Sequence, residues 1–313
     1  MPSKRWDIFG VGTSAVDDLV YVDRFPQPDE KLAIRAKQRQ GGGQTATALV
    51  AASRQGARTA YCGQLGDDDL SCFTLQALER EGVDCSPVIH TPGCRPFHAI
   101  VIVDTSTGSR TILYESEGVH EPDAEEIQPQ WIASSRLVFI DQNFPRSGLR
   151  AARLAREFNI PVIADLEKTS LPDLEQLLAH IDHLIVNSEF ARQVTGMDDP
   201  EAMVRGLASP RRAACVVTRG SEGCWFAERD GPARHFPAFP VQVVDTTGCG
   251  DVFHGAYAAA IIRGETIPRA VELASATAAI KATRPGGRAG IPDLAAVEQF
   301  LHDQPGHSTK IPG

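Results

Sequence analysis

Short apolar runs alternate along this chain with longer stretches whose apolar positions recur at helical spacing. The runs WDIFGVG (6–12), TAYCGQLG (59–66), RLVFID (136–141), IPVIAD (160–165), DHLIVN (182–187) and AACVVTRG (213–220) predict buried strands. Between them, TATALVAASRQGA (45–57), DDLSCFTLQALEREGV (68–83), SGLRAARLAREFN (147–159), SEFARQVTG (188–196) and PEAMVRGLA (200–208) predict helices with polar or proline starts. Strand and helix in alternation predict an α/β fold with a doubly wound parallel sheet. Two segments break the rhythm, residues 18–40 and 94–116, where apolar residues alternate singly and no helix intervenes. They predict a small β-sheet projecting from the main body, a lid formed by residues 15–40 and 95–117 of a single 1–313 domain.

Composition narrows the partners. A chain of 313 residues with 42% hydrophobic and 23% charged content buries a sizeable core. Its formal charge of −9, with no local basic patch, argues against nucleic acid and against an anionic membrane surface. The start MPSKRWDIFGVG holds too few consecutive apolar residues for a signal segment or membrane span, so a cytoplasmic location is expected. Seven cysteines without a C-x-x-C pair read as reduced thiols.

Chemistry concentrates in VVDTTGCGDVFHGAY (243–257). From Val252 to Ile262 the pattern is that of a buried helix, stopped by Gly264, which puts Gly248, Cys249 and Gly250 at its N-terminus. Amides there lack intrahelical partners and carry partial positive charge, so a phosphate site is expected. Asp251, in the first turn, is a carboxylate beside that anion. Such a group either takes a proton from an attacking hydroxyl or simply answers the helix dipole. Neither a P-loop sequence nor a protein-kinase motif set is present.

DTTGCGD resembles the D-T-x-G-A-G-D signature of the ribokinase, or phosphofructokinase B, family of carbohydrate kinases, and GGGQTATALVAASRQGA is similar to that family's other signature. VGTSAVDDLVYVDRFP and VVTRGSEGCWF extend the resemblance over essentially the whole chain. It implies ATP-dependent phosphorylation of a primary hydroxyl of a small sugar, with Mg2+ and, in many members, K+. Asp251 would be the general base, and the amides of Gly248, Cys249 and Gly250 the anion hole. Asp17, Gly42, Gly43 and Thr47 would line the sugar. Asn187, Thr218, Gly220, Gly223 and Ser275 would serve the nucleotide. Asp245 and Thr247, with carbonyls near Arg284 and Gly286, resemble the monovalent-cation site, although Asp245 read alone is equally a helix cap.

Departures are specific. The family's Asn-x-x-Glu reads NSEF here, with Phe190 in place of the Glu, leaving Glu189 or water to serve the metal. Cys249 replaces the usual Ala, either as plain packing or as a thiol activated at a helix N-terminus. Longer runs, KATRPGGRAGIPD among them, resemble bacterial sulfofructose kinases, and Lys31 on the lid would suit an anionic sugar substituent. Tyr114 and Asn143 stand where that subgroup carries its Asn and Arg, which leaves a ribokinase- or ketohexokinase-like kinase for a neutral sugar open. A catalytically weak sugar-binding member of the fold is a further alternative. The exposed lid sheet predicts a homodimer through the lids.

Overall fold

The computed structural model describes residues 4–304 apart from residue 108. Strands β1 (Trp6–Val11), β2 (Ala15–Val22) and β3 (Ala36–Gly42) precede helix α1 (Gln44–Arg54). Then come β4 (Thr59–Cys62), β5 (Gln64–Leu65), α2 (Asp69–Arg80), β6 (Ile89–His90), β7 (Phe97–Asp104) and β8 (Arg110–Glu115). A regular βα passage follows: α3 (Pro129–Ala133), β9 (Ser135–Asp141), α4 (Pro145–Glu157), β10 (Val162–Leu166), α5 (Leu174–Leu178), β11 (His183–Asn187), α6 (Ser188–Thr195), α7 (Pro200–Gly206) and β12 (Ala214–Thr218). After it come β13 (Cys224–Glu228), β14 (Arg234–Phe236), α8 (Cys249–Arg263), α9 (Ile267–Ala282) and α10 (Leu294–His302).

The main sheet has eight strands in the order β14-β13-β12-β11-β10-β9-β1-β4. It is parallel from β4 to β12, and β13 and β14 are antiparallel additions at one edge. Alternate residues of each strand feed opposite cores. Ile8, Phe139, Ile163 and Ile185 pack with α1, α8 and α9 on one face. Phe9, Val138, Val162 and Leu184 pack with α4, α6 and α7 on the other. Both faces are covered, which is why these strands read as continuous apolar runs.

A separate four-stranded sheet, ordered β3-β2-β7-β8, forms the lid. Its register places Asp17, Gln40, Ala99 and Tyr114 side by side on one face. Asp18, Arg39, His98 and Glu115 line the other face. Residues 23–35, expected within the lid strands, form a loop between β2 and β3 instead. Asp23 and Arg24 are tied there to Arg35 and Glu30, and these local ion pairs hold the loop without a ladder.

The helix α9 escapes a search for amphipathic stripes because it is apolar almost all round, packed between α8 and α10. Its start is nonetheless written locally, since the Thr266 side chain accepts from the Arg269 amide ahead of a first-turn proline.

Candidate active site

The carboxyl ends of β1, β9, β10, β11 and β12 open toward one crevice, the usual ligand position in an open α/β sheet. The lid's Asp17 face closes it from one side, and the α8 N-terminus forms its floor. Gly248 adopts φ 70°, a left-handed turn that swings the chain into the helix. The Cys249 amide donates to the Thr246 carbonyl at 3.2 Å. Among the described residues the amides of Gly248, Gly250 and Asp251 find no protein acceptor and are free to meet an anion, whereas that of Cys249 is engaged.

Asp251 sits at this helix start, its carboxyl against Gly248. Burial pushes its pKa far above the ordinary carboxylate range, and the neighbouring Asp165 adds repulsion. Asp165, at the end of β10, is raised for the same reasons. His254, one turn on from Asp251, has its ring nitrogens 2.8 Å from the Gly250 carbonyl and 3.1 Å from that of Ile185, and burial depresses its pKa. The floor therefore holds a carboxylate that can carry a proton near neutrality.

On the sugar side, Gly42 presses on the Asp17 carboxylate, where an added Cβ would stand 2.6 Å from Oδ2. Gly43, at φ 90°, leads into α1 and backs onto the Ser14 main chain. Arg288 binds this corner together. Its guanidinium donates to Thr47 Oγ1 at 3.1 Å and to the Gly42 carbonyl at 2.6 Å. Burial lowers its pKa to about 10 even though Asp17 and Asp251 both favour its charge. Burial likewise raises Asp17, against the pull of Arg288. Asn143, just past β9, donates to Gln44 at 2.7 Å and to Thr13 at 3.3 Å. Behind it, Asp141 accepts from the amide and hydroxyl of Thr13 and from the hydroxyl of Thr45, all within 2.8 Å, stitching β1, β9 and α1. The Gln40 side-chain nitrogen is buried without a partner beside this corner, a donor left for a ligand.

Other expected residues lie as follows. Tyr114 is on the site-facing side of the lid but 74% exposed. Lys31 is exposed on the 23–35 loop, with no hydrogen bond or ion pair among the described residues. On the nucleotide side, Asn187 caps α6 by accepting from the Phe190 amide at 2.8 Å, and Thr218 stands beside it in register. Gly220 and Gly223 have φ of 53° and 89°, and a Cβ on Gly223 would strike the Phe236 carbonyl. Ser275 hydrogen-bonds the buried Cys224 thiol.

Three expectations are corrected. Phe190 is fully buried core, and Glu189 is exposed and paired with Arg192 at 2.8 Å, so Glu189 does not replace the missing family carboxylate. Asp165, Glu167 and Asp141 are the carboxylates whose charge acts on Asp251. The Cys249 thiol is not activated: burial raises its pKa, and Sγ lies 3.6 Å from the Ala278 carbonyl. Finally, the residues expected to cage a monovalent cation do not fit one. The Lys281 ammonium donates to the Asp245 carbonyl at 2.9 Å and to the Thr247 carbonyl. Asp245 Oδ1 accepts from the Thr247 amide at 2.8 Å and from the lid's Arg110, and Oδ2 accepts from the Gly286 amide at 2.8 Å. Arg284 is exposed and contributes no side-chain bond there.

Sequence reading missed Asp141, Asp165, Gln40, Arg110, Lys281 and Arg288. Asp141 and Asp165 each end an apolar strand run, RLVFID and IPVIAD, and that position was their signal. Lys281 is a lone cation in the apolar stretch ASATAAIKAT, and that isolation was its signal.

This crevice, with an anion hole over a raised carboxylate and a lid over a polar corner, defines a phosphotransferase acting on an alcohol. The chain belongs to the pfkB family of carbohydrate kinases, which matches residues 8–294. It is 26% identical over 298 residues to the ribokinase of Haemophilus influenzae, covering 93% of this chain and 97% of that protein. An ATP-dependent ribose-1-phosphate kinase of Halopiger xanaduensis is 29% identical, with 92% and 95% covered. The structure of Arabidopsis thaliana ribokinase complexed with ribose and ATP superposes with a TM-score of 0.80 at 23% identity, over 95% of this chain and 98% of that one. The protein is thus a carbohydrate kinase with the ribokinase-like fold. Among the described residues no helix is long and apolar enough to cross a membrane.

Proposed function

We propose that this kinase transfers the γ-phosphoryl of Mg·ATP to a primary hydroxyl of a small ketose or pentose held between Asp17, Arg288 and Asn143, with Asp251 as the general base. The observation that carries this reading is the pairing of free helix-start amides with a desolvated carboxylate. The amides meet the negative charge of the transferring phosphoryl, and the carboxylate takes the hydroxyl proton as the new P–O bond forms and the bond to ADP breaks. Once protonated, Asp251 no longer repels Asp165, so the transfer relaxes the buried pair. The divalent cation enters with the nucleotide, as part of Mg·ATP.

Two sugars compete for the site. Lys31, without an acidic partner on its loop, supports an anionic ketose such as 6-deoxy-6-sulfofructose, reached from the lid. The names of the relatives and the neutral Asn143–Gln44–Thr13 cluster support an uncharged sugar of ribokinase type. A panel of sulfonated, phosphorylated and neutral ketoses and pentoses, followed by ADP release, decides between them. Lys31→Ala should lower kcat/KM for a charged sugar by about tenfold or more, the worth of one charge-assisted hydrogen bond, and leave its neutral analogue unchanged. Equal losses for both would remove the anionic reading. Activity on no sugar in the panel would favour a binding member of the fold. We place the enzyme in the cytoplasm as a homodimer through its lids, whose exposed Ile112 and Leu113 are 55% accessible each. A monomer in sedimentation at micromolar concentration would contradict the dimer.

A further inference from the structure

We propose that Lys281 is a built-in monovalent cation, which organises the anion hole and frees this kinase from any need for potassium. The proposal rests on the phosphotransferase reading of the site but not on which sugar is used. The turn between Asp245 and Gly248 opens α8, and its Asp245 and Thr247 carbonyls converge on α9. Carbonyls facing the protein need a cation or a donor to satisfy them. Here they have one from within the chain. Lys281, wholly buried on α9, brings its ammonium to the carbonyls of both Asp245 and Thr247.

A second contact closes the remaining positions. Arg110, at the start of the lid strand β8, donates to the Asp245 carboxylate and to the Thr247 hydroxyl. The Ala282 carbonyl, a further candidate ligand, already accepts the amides of Val244 and Asp245 at 2.8 and 3.0 Å. Two protein cations and four backbone amides therefore satisfy the oxygens of Asp245, Thr247 and Ala282. An ammonium is a compact point charge with three donors, suited to carbonyls converging from one side. Its position on α9 ties that helix to the loop that carries the free amides of Gly248 and Gly250.

This makes Lys281 a positioning residue whose loss should be repaired by the ion it replaces. Removing the side chain in Lys281→Ala vacates a carbonyl-lined space of the size of an ammonium. The test compares wild type and Lys281→Ala in potassium chloride and in tetramethylammonium chloride at equal ionic strength. Three quantities are read: ADP affinity without sugar, melting temperature, and ADP release with the best sugar of the panel. Wild type should be the same in both salts. Lys281→Ala should bind ADP and turn over poorly in tetramethylammonium and recover about tenfold in potassium, within the usual range of coupling between an ion and a second ligand. Its melting temperature should rise in potassium alone.

Wild type that is activated or stabilised by potassium overturns the proposal. So does a folded Lys281→Ala that responds equally to both salts, because the lysine is then only packing. If the variant does not fold, the wild-type comparison alone decides. Failure of every sugar would count against the substrate reading and leave the ADP and melting arms intact.

Discussion

The floor of the crevice and the outer face of the lid treat the same residue type in opposite ways. Asp251 and Asp165 on the floor are raised, by burial first and then by neighbouring carboxylates, Asp165 acting on Asp251 and Glu167 and Asp141 acting on Asp165. Asp18 on the lid is held down at about 2, chiefly by its hydrogen bonds from Arg39, with His98 assisting. Arg39, Asp18, His98 and Glu115 run across all four lid strands as a ladder of alternating charge, with His98 2.9 Å from Asp18 and 3.1 Å from Glu115. Charges on the lid are satisfied within the lid. Those on the floor are buried beside one another, and a proton taken up there removes part of their repulsion. The contrast separates a structural use of carboxylates from a chemical one, and each part of it can be broken.

The largest effect is expected from Asp251→Asn. Turnover should fall by about 10²–10⁴ or more, the usual contribution of a placed general base, while ADP affinity holds. Single-turnover ADP release measures it. Next is Arg288→Met, which strips Asp17 of its nearest cation in a buried corner. It also leaves Thr47 Oγ1 and the Gly42 carbonyl without their buried donor, so urea unfolding should show a loss of about 1–3 kcal/mol, and KM for the sugar should rise.

A smaller effect has the opposite sign. Because the folded-state pKa of Asp251 is raised, ionising it costs folding energy. That cost is absent below the unfolded value of about 3.9, grows as pH climbs toward the folded value, and is constant above it. Asp251→Asn should therefore melt higher than wild type at pH 8 and equally at pH 4. Each kcal/mol recovered is worth about 1.5 °C in a chain of this length. A variant less stable than wild type at pH 8 would mean that the carboxylate is satisfied there.

Last comes the lid. Burial alone would lower the pKa of His98, but hydrogen bonds to Asp18 and Glu115 outweigh it and leave the value raised. Its stabilising charge is full below about 6.5 and is lost as pH rises through the folded value. His98→Ala should cost at most about 1 kcal/mol, since the ladder faces water, and less at pH 9 than at pH 6.

How much of this was legible in the sequence follows the same division. The parallel strands were, because burial on both faces writes an unbroken apolar run. The α8 start was, because Gly248 and the acidic first turn sit at fixed offsets from an apolar helix. The antiparallel edge of β13 and β14 was matched only as a strand and turn, since short edge strands carry little periodicity. Helix α9 was not found at all, being apolar on every side. Among site residues, those inside the glycine-rich signatures could be named in advance. Arg288, Asp141 and Arg110 act from other elements at separations that no local pattern encodes: Arg288 meets Thr47 across 241 positions and Asp141 meets Thr13 across 128. Lys281 was visible as a charge in an apolar helix, but its purpose lies in carbonyls that only the folded turn presents.

The central claim is that burial and Asp165 lift the pKa of Asp251 so that it acts as the base near neutral pH. The pH dependence of kcat/KM in the wild-type enzyme tests it most directly. A raised base must lose its proton before it can act, so activity should climb with pH along an acid limb lying well above the ordinary carboxylate range, and Asp165→Asn should move that limb to lower pH by removing the repelling neighbour. An acid limb near pH 4, or one that Asp165→Asn leaves in place, would contradict the account.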